Sequence, residues 1–114
     1  MKIEVEKDSG GVVLIKIEGE IDMHTSPDVR NALLPYFNSN VKGIVVDLSK
    51  VKYMDSSGIA TMIEGLQWAS KSATRFVLAG MSEAVMDVFV LTNLNNVFEF
   101  SAASALAYSD ITGG

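Results

Sequence analysis

Cysteine is absent from all 114 residues. Disulfides and thiolate metal sites are thereby excluded, and a reducing compartment suits the chain. Histidine occurs once, as His24, so no multi-histidine metal cluster can form. Basic charge is scarce: nine Lys and Arg stand against 14 Asp and Glu, a net charge of −5. The basic residues are scattered, with no run that could track a phosphate backbone, so nucleic acid is not an expected partner. The acidity suits solubility and a basic protein partner instead. Long apolar runs are missing too. Stretches such as VVLIKIEGE and AVMDVFVLTN are short and interrupted, against the roughly 20 residues of a membrane-spanning helix. The opening MKIEVEKDSG alternates and carries acidic residues, unlike a secretory leader. No membrane insertion is expected, and the expected location is the cytoplasm. Gly10–Gly11 and Gly58 fit neither a P-loop nor a dinucleotide fingerprint, so no cofactor is expected.

What is present suits one folded domain over residues 1–114. The apolar fraction of 48% is enough for a core without covalent staples. KIEVEK (2–7) alternates with period two and predicts a half-buried strand with Ile3 and Val5 inward. DSGG (8–11) is a turn signal, and the β-branched VVLIKIE (12–18) predicts the antiparallel partner of a hairpin. Ser26 before Pro27 predicts a helix start with serine as the cap, and Asp28 suits its first turn. Val29, Ala32, Leu33, Tyr36 and Phe37 make its apolar face, which Pro35 should end early, with NSN (38–40) closing the segment. VKGIVVDLS (41–49) is apolar on both faces, as a central strand is. Ile59, Met62, Ile63, Leu66, Ala69 and Ala73 form a second helical stripe, with Trp68 packing at its edge. RFVLAG (75–80) reads as a buried strand. Residues 82–93 read as a helix capped by Ser82 and ended by a left-handed Asn93, with Val85, Val88, Phe89 and Thr92 near one face. NVFEF (96–100) and ASALAYSDI (103–111) supply a last strand and helix, followed by a frayed TGG. The order β-β-α-β-α-β-α-β-α implies an α/β fold: a mixed, mostly parallel sheet with an N-terminal antiparallel hairpin and about four helices. Function in such sheets gathers where strands end and helices begin.

One such loop is KVKYMDSSG, the expected link from the central strand to the second helix. Val51, Tyr53 and Met54 can anchor it, leaving Asp55, Ser56, Ser57 and Gly58 at the rim. Three good caps in a row exceed what capping one helix needs. A helix start presents unpaired N–H groups and the positive end of the dipole, so it should receive a phosphate carried by a serine there. Such a phosphate adds about −1.5 to −2 charges at pH 7, and Asp55 would repel it. Chemistry alone does not choose between Ser56 and Ser57. A hydrolase built on Ser56 and His24 is the catalytic alternative, but MDSSG lacks the first glycine of a nucleophile elbow.

GEIDMHTSPDVRNAL, GIVVDLSKVKYMDSSGIATMI and FVLAGMSEAVMDVFVLTNL resemble, in order and spacing, the STAS domain of bacterial anti-sigma-factor antagonists. The resemblance spans nearly the whole chain and is carried most specifically by GEID together with MDSSG. It implies a non-enzymatic binding protein. Such antagonists bind an anti-sigma factor that is also a serine kinase, are released when that kinase phosphorylates them, and are restored by a PP2C-type phosphatase. It implies Ser56 as the phosphoacceptor and places Asp22, Asp55, Ser57 and Gly58 on or beside the docking surface. The free chain is expected to be a monomer. Asn93, where the family often has glycine, and Pro35 depart from the common pattern. The alternative role within the family is an adaptor subunit, either of a lipid-transport ATPase or of a stressosome-like scaffold.

Overall fold

The computed structural model describes residues 1–38 and 40–113. The chain alternates as the sequence predicts: β1 (Lys2–Lys7), β2 (Val12–Ile21), α1 (Ser26–Leu33), a 3-10 turn (Leu34–Tyr36), β3 (Gly43–Met54), α2 (Ser56–Ser72), β4 (Arg75–Ala79), α3 (Glu83–Leu91), β5 (Glu99–Ser101) and α4 (Ser104–Thr112). The strands form one five-stranded sheet in the order β1-β2-β3-β4-β5. β1 is antiparallel to β2, and every other pair is parallel. The hairpin turn is closed by Asp8, whose Oδ1 accepts the N–H groups of Gly10 and Val12 at 3.0 Å each.

Strand alternation divides the sheet between two layers. Val13, Ile15 and Ile17 of β2, Ile44, Val46 and Leu48 of β3, and Phe76 and Leu78 of β4 face one side. There they meet Val29 and Leu33 of α1, Ile59, Met62 and Ala69 of α2, and Val85 and Phe89 of α3. Val12, Val45, Val77 and Ala79 face the other side, under Ala107 and Ile111 of α4. The unbroken apolar run in β3 follows from this double cover. Phe89 anchors the far edge, with its ring centroid 5.4 Å from Phe98 and 5.5 Å from Phe100, both edge-on.

Several expectations shift. α1 does stop early at Pro35, which cannot donate to the carbonyl four residues back. Its cap position is Thr25, not Ser26, which is buried in the first turn. Asn93 adopts the left-handed conformation (φ 59°) as expected, and so does Ala73 (φ 56°), which ends α2 exposed and does not join its buried stripe. Trp68 packs half-buried against Phe37, with ring centroids 5.4 Å apart. Ile3 packs on the main core, but Val5, also on the edge strand, is exposed. Thr92 is also exposed, following α3. The last strand is shorter than predicted and starts only at Glu99. Ser39 and Gly114, at the expected NSN break and TGG tail, lie outside the described residues.

The largest departure concerns β3. It does not end near Ser49 but runs to Met54, so the expected link is strand. β4 pairs with it only as far as Asp47, whereas β2 accompanies it to the Ile21–Met54 pair. The central strands therefore extend past their neighbours as a two-stranded tongue.

Phe89→Ala should cost about 3–5 kcal/mol, because the ring is fully buried and seats both Phe98 and Phe100. Urea denaturation followed by circular dichroism measures the loss.

Candidate functional site

The two strands of the tongue end in neighbouring Asp-capped turns. β2 leads into Asp22, whose Oδ1 accepts the N–H groups of His24 at 2.9 Å and Thr25 at 3.1 Å. The Asp22 carbonyl takes the N–H of Ser26 at 2.8 Å. Asp22, outside the helix, thus organises the chain entering α1, and the cap expected at Ser26 is unnecessary. Thr25 fastens this turn to the strand: its hydroxyl donates to the Glu20 carbonyl at 2.8 Å and accepts the Asp22 N–H at 2.9 Å.

β3 leads into Asp55, the cap residue of α2. Its Oδ1 accepts the N–H of Ser57 at 2.9 Å, that of Gly58 at 3.4 Å, and the Ser57 hydroxyl at 2.6 Å. Its own N–H donates to the Ile21 carbonyl at 3.1 Å. That bond joins the two turns, so Asp22 and Asp55 share one rim. The Ser57 hydroxyl lowers the pKa of Asp55 most, followed by the backbone N–H groups of Ser57 and Gly58. Asp22 is also held below the usual range, first by the His24 N–H and then by Thr25. Both carboxyls are therefore ionised near neutral pH.

The two serines, equivalent in the sequence, now differ. Ser57 is half-buried, and its hydroxyl is committed to Asp55. Ser56 is exposed, and among the described residues its hydroxyl has no protein partner within hydrogen-bond distance. Gly58 is buried where the helix start meets the strand ends. A Cβ there would lie 2.5 Å from Cγ of Met54 and 2.9 Å from Cγ2 of Ile21, so only glycine lets α2 sit this close. His24 is exposed, and the bond it makes to this rim runs from its backbone N–H to Asp22. Among the described residues its imidazole is not hydrogen-bonded to Ser56 or Ser57.

One expectation needs correction. The N–H groups of Ser57 and Gly58 are not free to receive a phosphate, because the Asp55 carboxylate already occupies them. A phosphate on Ser56 would stand outside a filled cap, beside a negative charge. Sequence reasoning missed the neighbouring Met23, which is 70% exposed between Asp22 and His24. A methionine in a loop of polar residues was the available signal.

Fold and rim together define an α/β domain that presents a serine-bearing helix start at the carboxyl edge of its sheet. The chain belongs to the STAS-domain family of anti-sigma-factor antagonists. The STAS domain profile matches residues 2–107. The anti-sigma-B factor antagonist of Listeria monocytogenes is 33% identical over 102 residues, covering 87% of each chain. Among solved structures, an anti-sigma factor antagonist from Mycobacterium paratuberculosis superposes with a TM-score of 0.85 at 24% identity, covering 96% of this chain and 92% of the other. The anti-sigma factor antagonist SpoIIAA in its unphosphorylated form superposes with a TM-score of 0.84 at 23% identity, over 99% and 98% of the chains. The Bacillus cell fate determinant SpoIIAA in its phosphorylated form gives 0.76 at 22%, over 96% and 99%.

Two outcomes are expected at this site. Gly58→Ala should lose about 1–3 kcal/mol of stability through overpacking, read from the urea midpoint. Asp55→Ala should be less stable than wild type at pH 7. The depressed pKa gives a contribution that is present above about pH 4, the unfolded range for aspartate, and is lost as pH falls through the folded value. The gap between the two proteins should therefore close in acid, while Asp55→Asn, which caps without titrating, keeps its advantage over Ala. Denaturation curves at neutral and acid pH check both statements.

Proposed function

We propose that residues 1–114 form one cytoplasmic STAS domain that acts as an anti-sigma-factor antagonist, binding an anti-sigma factor that is also a serine kinase and switched off by phosphorylation of Ser56. The observation that carries this reading is the contrast between the two hydroxyls: Ser56 is exposed and uncommitted, whereas Ser57 is bound to Asp55 at 2.6 Å. SpoIIAA, described in both unphosphorylated and phosphorylated forms, supports it by analogy.

In the kinase complex the Ser56 hydroxyl oxygen attacks the γ-phosphorus of ATP. The bond to the β-phosphate oxygen breaks, ADP leaves, and the hydroxyl proton goes to a base of the kinase. The product carries about −1.5 to −2 charges beside Asp55 and Asp22, facing the remaining phosphates of the nucleotide. Like charges at this spacing destabilise the complex, so the antagonist dissociates. Asp22, Asp55, Ser57 and Gly58 contribute to docking by holding the rim in shape. A PP2C-type phosphatase then hydrolyses the phosphoserine with water, releasing orthophosphate and restoring the hydroxyl. The helix cap is complete in either state, since Asp55 provides it.

The test uses the purified serine-kinase anti-sigma factors of the source organism, ATP and mass spectrometry. One phosphate is expected on wild type and on Ser57→Ala, and none on Ser56→Ala. No phosphate on wild type, or equal labelling of Ser56→Ala, overturns the reading.

A further inference from the structure

We infer that Met23 is the apolar anchor by which this chain seats in its kinase partner, inserting into an apolar socket beside the partner's serine-binding site. The inference rests on the reading above and adds to it the group that supplies affinity. Met23 is 70% exposed, far more than a long apolar side chain needs to be in a loop fastened at both sides. The fastening is specific: Asp22 holds the N–H groups of His24 and Thr25, and Thr25 ties back to Glu20. The backbone that carries Met23 is thus fixed before any partner arrives, which lowers the ordering cost of docking. The same loop is joined to the Ser56 helix start through the Asp55 N–H and the Ile21 carbonyl, 3.1 Å apart. An anchor on this loop therefore keeps a constant relation to the phosphoacceptor.

The chemistry divides the work. One oxygen of each carboxylate, Oδ1 of Asp22 and Oδ1 of Asp55, is taken by backbone and hydroxyl donors of its own turn, so these side chains are fixed in place and offer a partner charge and hydrogen-bond acceptors rather than apolar surface. The Ser56 hydroxyl is small and must be free to react. Among the described residues Met23, at 70%, is the most exposed large apolar side chain near this rim, ahead of Tyr53 at 52% on β3. Methionine is unbranched and polarisable and adapts to an irregular socket, and it is enriched in protein interfaces. Apolar burial is insensitive to the charge change at Ser56. Phosphorylation can then act by repulsion against an attraction that itself stays constant.

The experiment measures the dissociation constant of wild type, Met23→Leu, Met23→Gln and Leu91→Gln for the anti-sigma factor kinase that labels Ser56, by calorimetry with a non-hydrolysable ATP analogue. Leu91, 82% exposed at the far end of α3, is the control for general loss of apolar surface. Met23→Gln, similar in length but polar, should weaken binding at least tenfold, the scale of an interface hot spot. Met23→Leu should stay within about threefold of wild type and Leu91→Gln should be unchanged. The Met23→Gln ratio should persist between about 0.1 and 1 M salt, where charge pairs are screened. Circular dichroism melts confirm that each variant is folded. Wild-type affinity in Met23→Gln, or a ratio that vanishes in salt, overturns the inference while leaving the phosphorylation result standing. A wild type that neither binds nor is labelled overturns the functional reading, and this inference with it.

Discussion

The parallel pairing of β2 and β3, carried to the ends of both strands, is the constraint on which the rim depends. Ile21 and Met54 are partners in the ladder and both are buried. One residue later, the Asp55 N–H still bonds to the Ile21 carbonyl. Without that continuation the β2–α1 turn and the α2 start would be two unrelated surface loops. With it, two aspartates, a free hydroxyl and an exposed methionine occupy fixed relative positions. Gly58 completes the arrangement by having no side chain, since any Cβ would strike the two residues that end the ladder.

Asp55 carries the local structure of the α2 start. Its carboxylate fills the helix cap, holds Ser57 and carries negative charge, all through contacts inside its own turn. Ser56 takes no part in that cap. The bonds that position the Ser56 hydroxyl therefore do not depend on the hydroxyl itself. In the hydrolase alternative, Ser56 would need its hydroxyl engaged by a base, and among the described residues the His24 imidazole makes no hydrogen bond to it.

The sequence made the architecture readable because its signals were local and agreed with one another. Period-two alternation in KIEVEK, double-sided apolarity in GIVV, Ser82 as the α3 cap and Asn93 as its left-handed end all appear in the structure. The failures have non-local causes. Residues 50–54 mix charged and apolar groups and look like a loop, but they are held as strand by β2. Val5 has the right period but lies on the edge strand, where it stays exposed. Ala73 continues the helical stripe in sequence but falls on the residue that ends the helix. Serine at position 26 is a good cap by type, and Asp22 pre-empts it from four residues upstream. The difference between Ser56 and Ser57 depends on which hydroxyl turns back to Asp55, and the structure shows it is that of Ser57.

The two-stranded tongue has one more consequence. β4 stops pairing at Asp47, and β3 continues for seven residues to Met54, with register shifts against the β2 partner that ends at Ile21. Beside it, where β4 has ended, Ser49, Lys50, Val51 and Lys52 line an open groove with Ser82 and Ala84. The missing β4 partner leaves a concave flank there instead of a continued sheet. The rim thus stands apart from β4 and β5 and is tied to the sheet through β2 and β3.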